Sequence, residues 1–535
     1  MNHRPSMRAV AWIAAGGVLL LAESATATTT ETAATAATTT GNQTGDARDD
    51  LNLGNPEEPT RFSEEVAPSD PLKIGGQFYW RLMGSAKQGT GPKDWGLSAP
   101  ALVDVYMDAR PNDRVRAFVL GRMFYDPTLP LSGSATSWSG GGGAVSAQGS
   151  ESPGSALGQQ TRGPNVLLDQ VWLRADILRT VFVTAGKQHV RWGTAHFWAP
   201  TDYLHTVPRN PLLPFDSRTG TTMLKLHLPW EALGWNFYAY ALPERQVQTS
   251  KIVDVSGAAR AEIVLGTLEV GLGIFGNRNS KEKFAGDVSF GLWDFEFYGE
   301  AALRDIGDVD FVGFRPDVTF IADASDPDKP WLAQTYHPST TPNVHFDPSQ
   351  SSAIPAMVDA FYPTLRGSGW RTQVTGGVSY THKYADKDTF TLGAEYFYNS
   401  LGYSDPRKYL GVLLLPHTTP LNNAATFFYL GRHYLGGYLL VPSPYSWDNT
   451  TFTLSTLANL TDKSGISRLD YSVVVLTHLR FEAYGAVHWG QSNGEFRFGI
   501  DASFLSNSGL LSNEVIRQLA MPALFDFGIG LRVAL

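Results

Sequence analysis

Between Trp293 and Arg304 the chain alternates without a break. Trp293, Phe295, Phe297, Gly299, Ala301 and Leu303 fall on one parity, and Asp294, Glu296, Tyr298, Glu300, Ala302 and Arg304 on the other. Successive side chains of a strand point to opposite faces, so this pattern predicts a strand with one apolar and one ionic face. The same reading holds for Leu268, Val270, Leu272 and Ile274 against Thr267, Glu269, Gly271 and Gly273. It holds again for Val115, Ala117, Val119 and Gly121 against Arg114, Arg116 and Arg122. Strands of a soluble sandwich are usually about 5 or 6 residues long. Alternation over about 10 residues, repeated along a chain, fits strands with lipid on one side and a polar lumen on the other.

The connections carry a second signal. "RPND", "LRT" and "PWEAL" join neighbouring strands tightly, whereas residues 126–164, 189–219, 243–256 and 305–369 make long connections. Short turns on one side and long loops on the other is the arrangement of an outer-membrane barrel. Strands are predicted at 75–83, 101–110, 114–125, 165–177, 181–188, 220–228, 234–242, 258–265, 267–276, 284–292, 293–304, 370–383, 389–399, 427–441, 451–460, 467–479, 480–489 and 525–535. The expected fold is therefore all-β: an antiparallel transmembrane barrel of about 18 strands, with 16 as the alternative, short periplasmic turns and long outer loops. "GEFRFGIDASF" also alternates, but an even strand count places it in the last outer loop, with "SNEVIRQLAMP" as a short helix there.

Composition narrows the class. Residues 1–27 combine Arg4 and Arg8, the apolar run "AVAWIAAGGVLLLA" and the small-residue site Ala25-Thr26-Ala27, the features of an export signal. Residues 28–71 form a Thr/Ala-rich leader with too few apolar side chains to fold, leaving 72–535 for the barrel. There are no cysteines, so thiolate metal sites and cysteine nucleophiles are excluded, and the net charge of −9 gives no case for nucleic acid. "FDFGIGLRVAL" sets Phe527, Ile529, Leu531, Val533 and Leu535 on one face. That resembles the signal read by the barrel-assembly machinery, although the signal usually ends in an aromatic residue where this chain has Leu535. The expected surroundings are outer-membrane lipid, with small polar solutes in the lumen.

From about residue 75 to the end, the chain resembles porin-like outer-membrane proteins of Gram-negative bacteria. The motif "VTAGKQHVRWGTAHFWAPTDYL", followed by "PFDSRTGTTMLKLHLP", is similar to uncharacterised barrels with a strand, a Trp-Gly and a Pro-x-Asp. The resemblance implies a barrel and transport, and brings no catalytic residues.

That stretch has three readings. Trp192, Phe197, Trp198 and Tyr203 fit an interfacial aromatic girdle. Alternatively the loop folds into the lumen, where Arg191, Trp192, Trp198, Asp202, Tyr203 and Arg209 contact solute. A metal site from His189, His196, His205 and Asp202 lacks tight ligand spacing, and no metal or other cofactor is expected. Elsewhere, "GQSNG" matches a nucleophile motif around Ser492 without the strand-turn-helix it needs. Asp323, Asp326 and Asp328 lack calcium-loop spacing and read as a solvated loop.

No Ser/His/acid set assembles, so an enzyme is not expected. A channel for passive or selective diffusion is the leading function, against an adhesion or assembly protein or a barrel-mounted hydrolase. The inward charges are expected to form two walls. Arg110, Arg114, Arg116, Arg122 and Arg174 lie near the start of the barrel, with Glu269, Asp287, Asp294, Glu296 and Glu300 about opposite. The alternative is that the arginines pair with Asp104, Asp108 and Asp176 in a packed interior.

Overall fold

The computed structural model describes residues 71–128, 164–205, 208–213, 218–245, 252–277, 281–307, 309–315, 318–322, 331–335, 344–346, 362–385, 388–414, 427–498 and 521–534. The segments expected as export signal and leader, apart from Pro71, the acidic run 323–328 and the helix expected at 512–522, apart from its last two residues, lie outside them.

Eighteen antiparallel strands close into one barrel. They are β1 (Leu72–Lys87), β2 (Ala101–Asn112), β3 (Val115–Tyr125), β4 (Asn165–Ile177), β5 (Val181–Gln188) and β6 (Thr221–Trp230). Then come β7 (Trp235–Arg245), β8 (Ile252–Leu265), β9 (Leu268–Gly276), β10 (Lys283–Leu292), β11 (Phe295–Asp305) and β12 (Trp370–Lys383). The last six are β13 (Thr389–Asn399), β14 (His433–Pro442), β15 (Thr450–Asn459), β16 (Ser464–Leu476), β17 (Leu479–Gly490) and β18 (Ala523–Ala534). Each pairs with the next, and β18 pairs back onto β1 from Gln77↔Ala534 to Lys87↔Ala523. Closure leaves no unpaired edge, the condition for strands to cross lipid. Among the described residues no helix is long and apolar enough to cross a membrane.

The faces follow the predicted parity. Outward Val105, Leu173, Leu272, Leu392 and Leu469 are each about half exposed, which lipid accounts for. Inward Asp104, Arg122, Glu300, Glu395 and Asp526 are buried. An aromatic girdle is present, but other residues make it. At the short-turn end Trp230 meets Trp235, Phe290 stacks on Phe297 and Phe295 lies 4.7 Å from Tyr380. At the other end Phe284 meets Trp370.

Strand boundaries differ from expectation in places. β8 begins at Ile252 rather than at 258 and pairs with β7 through Glu244↔Asp254, so the ends of the long connection expected at 243–256 are strand. The strand predicted at 427–441 begins only at His433. Phe427, Phe428 and Leu430 instead turn inward and pack with Phe496 and Phe498. Residues 494–498, the described part of "GEFRFGIDASF", make the 3-10 turn Glu495–Arg497 and no strand. Two small sheets in the connection after β11, Val309–Val312 with Thr364–Gly367 and Val318–Ala322 with Trp331–Thr335 and Val344–Phe346, stand outside the barrel sheet.

Candidate functional site: an inserted loop held by buried carboxylates

The connection between β5 and β6 leaves the long-loop end of the barrel and turns into it. Its base is fixed by Asp169, an extra residue in β4: Leu120 faces Gln170 and Gly121 faces Leu168, so Asp169 bulges between them. The Asp169 carboxylate accepts the Gly220 N–H at 3.0 Å and lies 3.2 Å from His189 Nε2. It thus ties the chain where the loop leaves and where it returns.

Two further carboxylates hold the middle. Glu300 on β11 accepts the Ala195 N–H at 2.7 Å, the Thr201 N–H at 3.3 Å and the Thr201 hydroxyl at 2.7 Å. Glu395 on β13 accepts the N–H groups of His196, Phe197 and Trp198, at 2.8 Å for the first and last. Tyr298 and Thr375 hydroxyls complete its shell at 3.0 and 3.2 Å. Successive peptide N–H groups pointing one way make an anion nest, here filled by a side chain of the barrel wall. Gly193 permits the approach. Its φ is +98°, and a Cβ there would lie 2.3 Å from a Glu300 oxygen.

The loop aromatics pack downward. Trp192 and Trp198 are 1 % and 0 % exposed. Trp192 meets Tyr240 edge-on at 5.6 Å and sits over Gly273. Trp198 stacks on Phe397 and donates its indole N–H to the Phe428 carbonyl at 3.0 Å. Phe197 occupies the space a side chain at 436 would need. Asp202 is clamped within the loop by Arg218 at 3.0 Å and His205 at 3.1 Å. Burial pushes its carboxyl up, but His205 and Arg218 outweigh that and hold it below the ordinary range. Tyr203 donates to the Phe284 carbonyl at 3.2 Å and lies beneath Lys283 and Arg304. Of the six proposed solute-contacting side chains, Arg191 is exposed; its guanidinium donates to the Ala195 carbonyl at 2.6 Å. Arg209 is half-buried, with its carbonyl bonded by Tyr429. His189 lies on Asp169 and His205 on Asp202, the His196 ring stacks on Tyr438 at 4.0 Å, and no group of three or more metal-binding side chains gathers among the described residues.

A second layer lies over the first. Glu495 accepts from the Tyr434 hydroxyl at 2.7 Å, the Asn459 amide at 2.8 Å and the Leu430 N–H, while its own N–H donates to Asp462. Burial, and then the Asp462 charge, push the Glu495 carboxyl up to about 8. A carboxyl raised on folding binds more protons in the folded state, so stability falls as pH rises between the ordinary carboxylate range and about 8. The melting midpoint of this outer packing should therefore be lower at about pH 9 than at about pH 5. Glu495→Gln should flatten that profile; an identical slope in the variant would assign the pH dependence elsewhere.

Charges on the lumen wall are mostly paired. Arg122 makes a two-point bridge to Asp104 at 2.8 and 3.0 Å and lies 3.4 Å from Asp169. Arg116 does the same with Asp108 at 2.9 and 3.0 Å, and Arg110 reaches Asp108 at 3.4 Å. Arg174 lies over Phe182, and Arg114 stands in the short turn after β2. On the other side Asp287 is bridged by Arg260 at 2.7 and 2.9 Å. Glu296 is exposed and accepts from Ser379, Glu269 is exposed, and Asp294 lies in the turn before β11. The arginine side extends across the closure seam with Arg468, paired to Asp470 at 2.6 Å, and Arg532, 3.0 Å from Glu482.

Sequence reasoning missed Glu395 and Asp169. Glu395 is legible in hindsight, since Thr391, Gly393, Glu395, Phe397 and Asn399 share the inward parity of β13. Asp169 is not, because the bulge moves it out of phase.

The sequence matches no family model and no curated relative. Among solved structures, OccAB1 of Acinetobacter baumannii aligns over 89 % of this chain and 99 % of its own, at 10 % identity and a TM-score of 0.46. OpdK of Pseudomonas aeruginosa, crystallised with vanillate, aligns over 87 % and 98 % at 8 % identity and 0.43. A Rhodopseudomonas blastica porin aligns over 87 % and 100 % at 9 % identity and 0.36. The fold is a closed antiparallel β-barrel. In this barrel one long connection is folded back inside, and three wall carboxylates hold it there.

Proposed function

We propose that the protein is an outer-membrane channel for small polar solutes, with the inserted loop as its constriction. The carrying observation is the three-point hold on residues 189–220 by Asp169, Glu300 and Glu395. A loop serving only as a rim would have no use for buried carboxylates on the facing wall. A barrel of this size is wide enough for an aqueous lumen. Export by residues 1–27 and assembly through β18 complete the reading.

The surroundings of Ser492 do not favour the hydrolase alternative. His488, on the strand before Ser492, is 2 % exposed, with Nε2 on Asp526 at 2.8 Å and Nδ1 on the Phe496 carbonyl. Neither ring nitrogen is left to serve a serine.

Purified protein in a planar bilayer should give discrete conductance steps. Charge reversal tests the walls. Arg114→Glu with Arg116→Glu should move the reversal potential toward cation preference, and Glu269→Lys with Glu296→Lys toward anion preference. Both shifts should grow at low salt, where screening is weaker. Glu300 is left intact because it holds the loop. A conducting channel whose reversal potential ignores both pairs would refute the two-wall reading, and a barrel that never conducts would refute the channel.

A further inference from the structure

A cavity of about 170 Å³ opens on the long-loop side, between the first turn of the connection after β11, the start of β12 and residues 400–408. Arg371, Lys408 and Arg432 line it, with the hydroxyls of Ser400, Tyr403 and Ser404. No lining side chain is acidic. This is unusual within a chain of net charge −9 whose lumen arginines mostly face carboxylates.

None of the three cations forms an ion pair with a described carboxylate, although the Asp405 charge is felt by Lys408. Arg371 Nε is buried without a hydrogen-bond partner, and its guanidinium lies 5.4 Å over Phe311. A buried guanidinium nitrogen without an acceptor is costly and calls for a ligand, an ion or a water. Arg432 spends its Nε on the Gly402 carbonyl at 3.0 Å. The neighbouring acid, Asp405, is taken by Arg407 at 2.8 Å, and among the described residues no carboxylate bridges Arg371, Lys408 or Arg432. Ser400 already accepts the Thr372 N–H, and Tyr403 that of Val312. Their own hydroxyl protons therefore remain to be donated.

We propose that this cavity is a capture site for a small oxyanion, a carboxylate or a phosphate, at the outer mouth of the barrel. Guanidinium forks match the two oxygens of either group. Size agrees, since a cavity of about 150 Å³ holds a benzene ring. Phe311, Val312 and Leu365 offer an apolar wall that would suit the body of a ring carboxylate, whereas inorganic phosphate would use the cations and hydroxyls alone. The proposal goes beyond the channel reading and does not depend on conduction.

Calorimetric titration of the full chain in detergent, with inorganic phosphate in one arm and benzoate in the other, tests it without a bilayer. At least one probe should bind saturably; the arm that binds identifies the source of the oxyanion. Arg371→Gln with Lys408→Gln should weaken that binding about tenfold or more, as expected for lost charge-assisted hydrogen bonds. Lys408→Gln alone, on an outer turn that barrel closure does not use, should weaken it partly and guards against a misfolded double variant. Lys281→Gln, in another outer connection, should leave it unchanged. Saturable binding of neither probe, or equal binding by wild type and both Lys408 variants, would overturn the site.

Discussion

Glu395→Ala is expected to release the inserted loop while leaving the barrel closed. The substitution strips an acceptor from three consecutive peptide N–H groups and two hydroxyls. A buried donor left unmade costs about 1–3 kcal/mol, so no packing of Trp198 retains the loop against several at once. Trypsin should then cut at Arg191, Arg209 or Arg218 in folded protein, and conductance should rise and become noisy. The unboiled gel mobility should stay that of an intact barrel, because β13 keeps its backbone pairing to β12 and β14. Glu395→Gln, which keeps one acceptor oxygen, should fall between the two. Protease resistance and conductance equal to wild type would show that the aromatic packing alone holds the loop.

The second large effect concerns the arginine side. Arg122→Ala leaves Asp104 and Asp169, 2 % and 1 % exposed, without their shared cation. Removing one partner of a buried pair costs about 3–5 kcal/mol, because the remaining charge is neither solvated nor matched. The thermal midpoint of Arg122→Ala should fall sharply in detergent. Adding Asp104→Asn should restore part of it, since a neutral amide can keep the bond from Gln77, now 2.8 Å from Asp104. The recovery should stay incomplete, because Asp169 also anchors His189 and Gly220. If the double variant melts no higher than the single one, the loss is one of packing by the Arg122 stem.

The strands were legible because alternation is a local property. Lipid outside and water inside impose it on every residue of β9, β11 and β18 alike, so no distant partner is needed to read it. The run from Phe427 misled for the same reason. An apolar stretch shows that water is excluded but not whether lipid or another loop excludes it, and Phe427 and Phe428 are covered by Phe498 and Phe496. The course of residues 189–220 is a long-range property. Ala195 meets Glu300 across 105 positions and Trp198 meets Glu395 across 197. Nothing within the loop distinguishes Trp192 and Trp198 from interfacial aromatics, because both roles select the same amphipathic ring. The lumen charges stood between. Parity sets Arg116 and Arg122 on one face with Asp104 and Asp108, but pairing across neighbouring strands depends on register, which the alternation does not specify.

Glu300 and Glu395 grip the loop almost wholly through its peptide groups. Every amino acid except proline carries such a group, so this socket is nearly blind to which side chains occupy 195–198. What the grip itself requires is little: Gly193 for its backbone angle and Thr201 for its hydroxyl, with Trp192, Phe197 and Trp198 held by their packing instead. Outside those packed aromatics, the inserted loop is thereby an exchangeable part. Its inward surface can be rewritten by drift or by an engineer, residue by residue, while the same two glutamates continue to seat whatever replaces it.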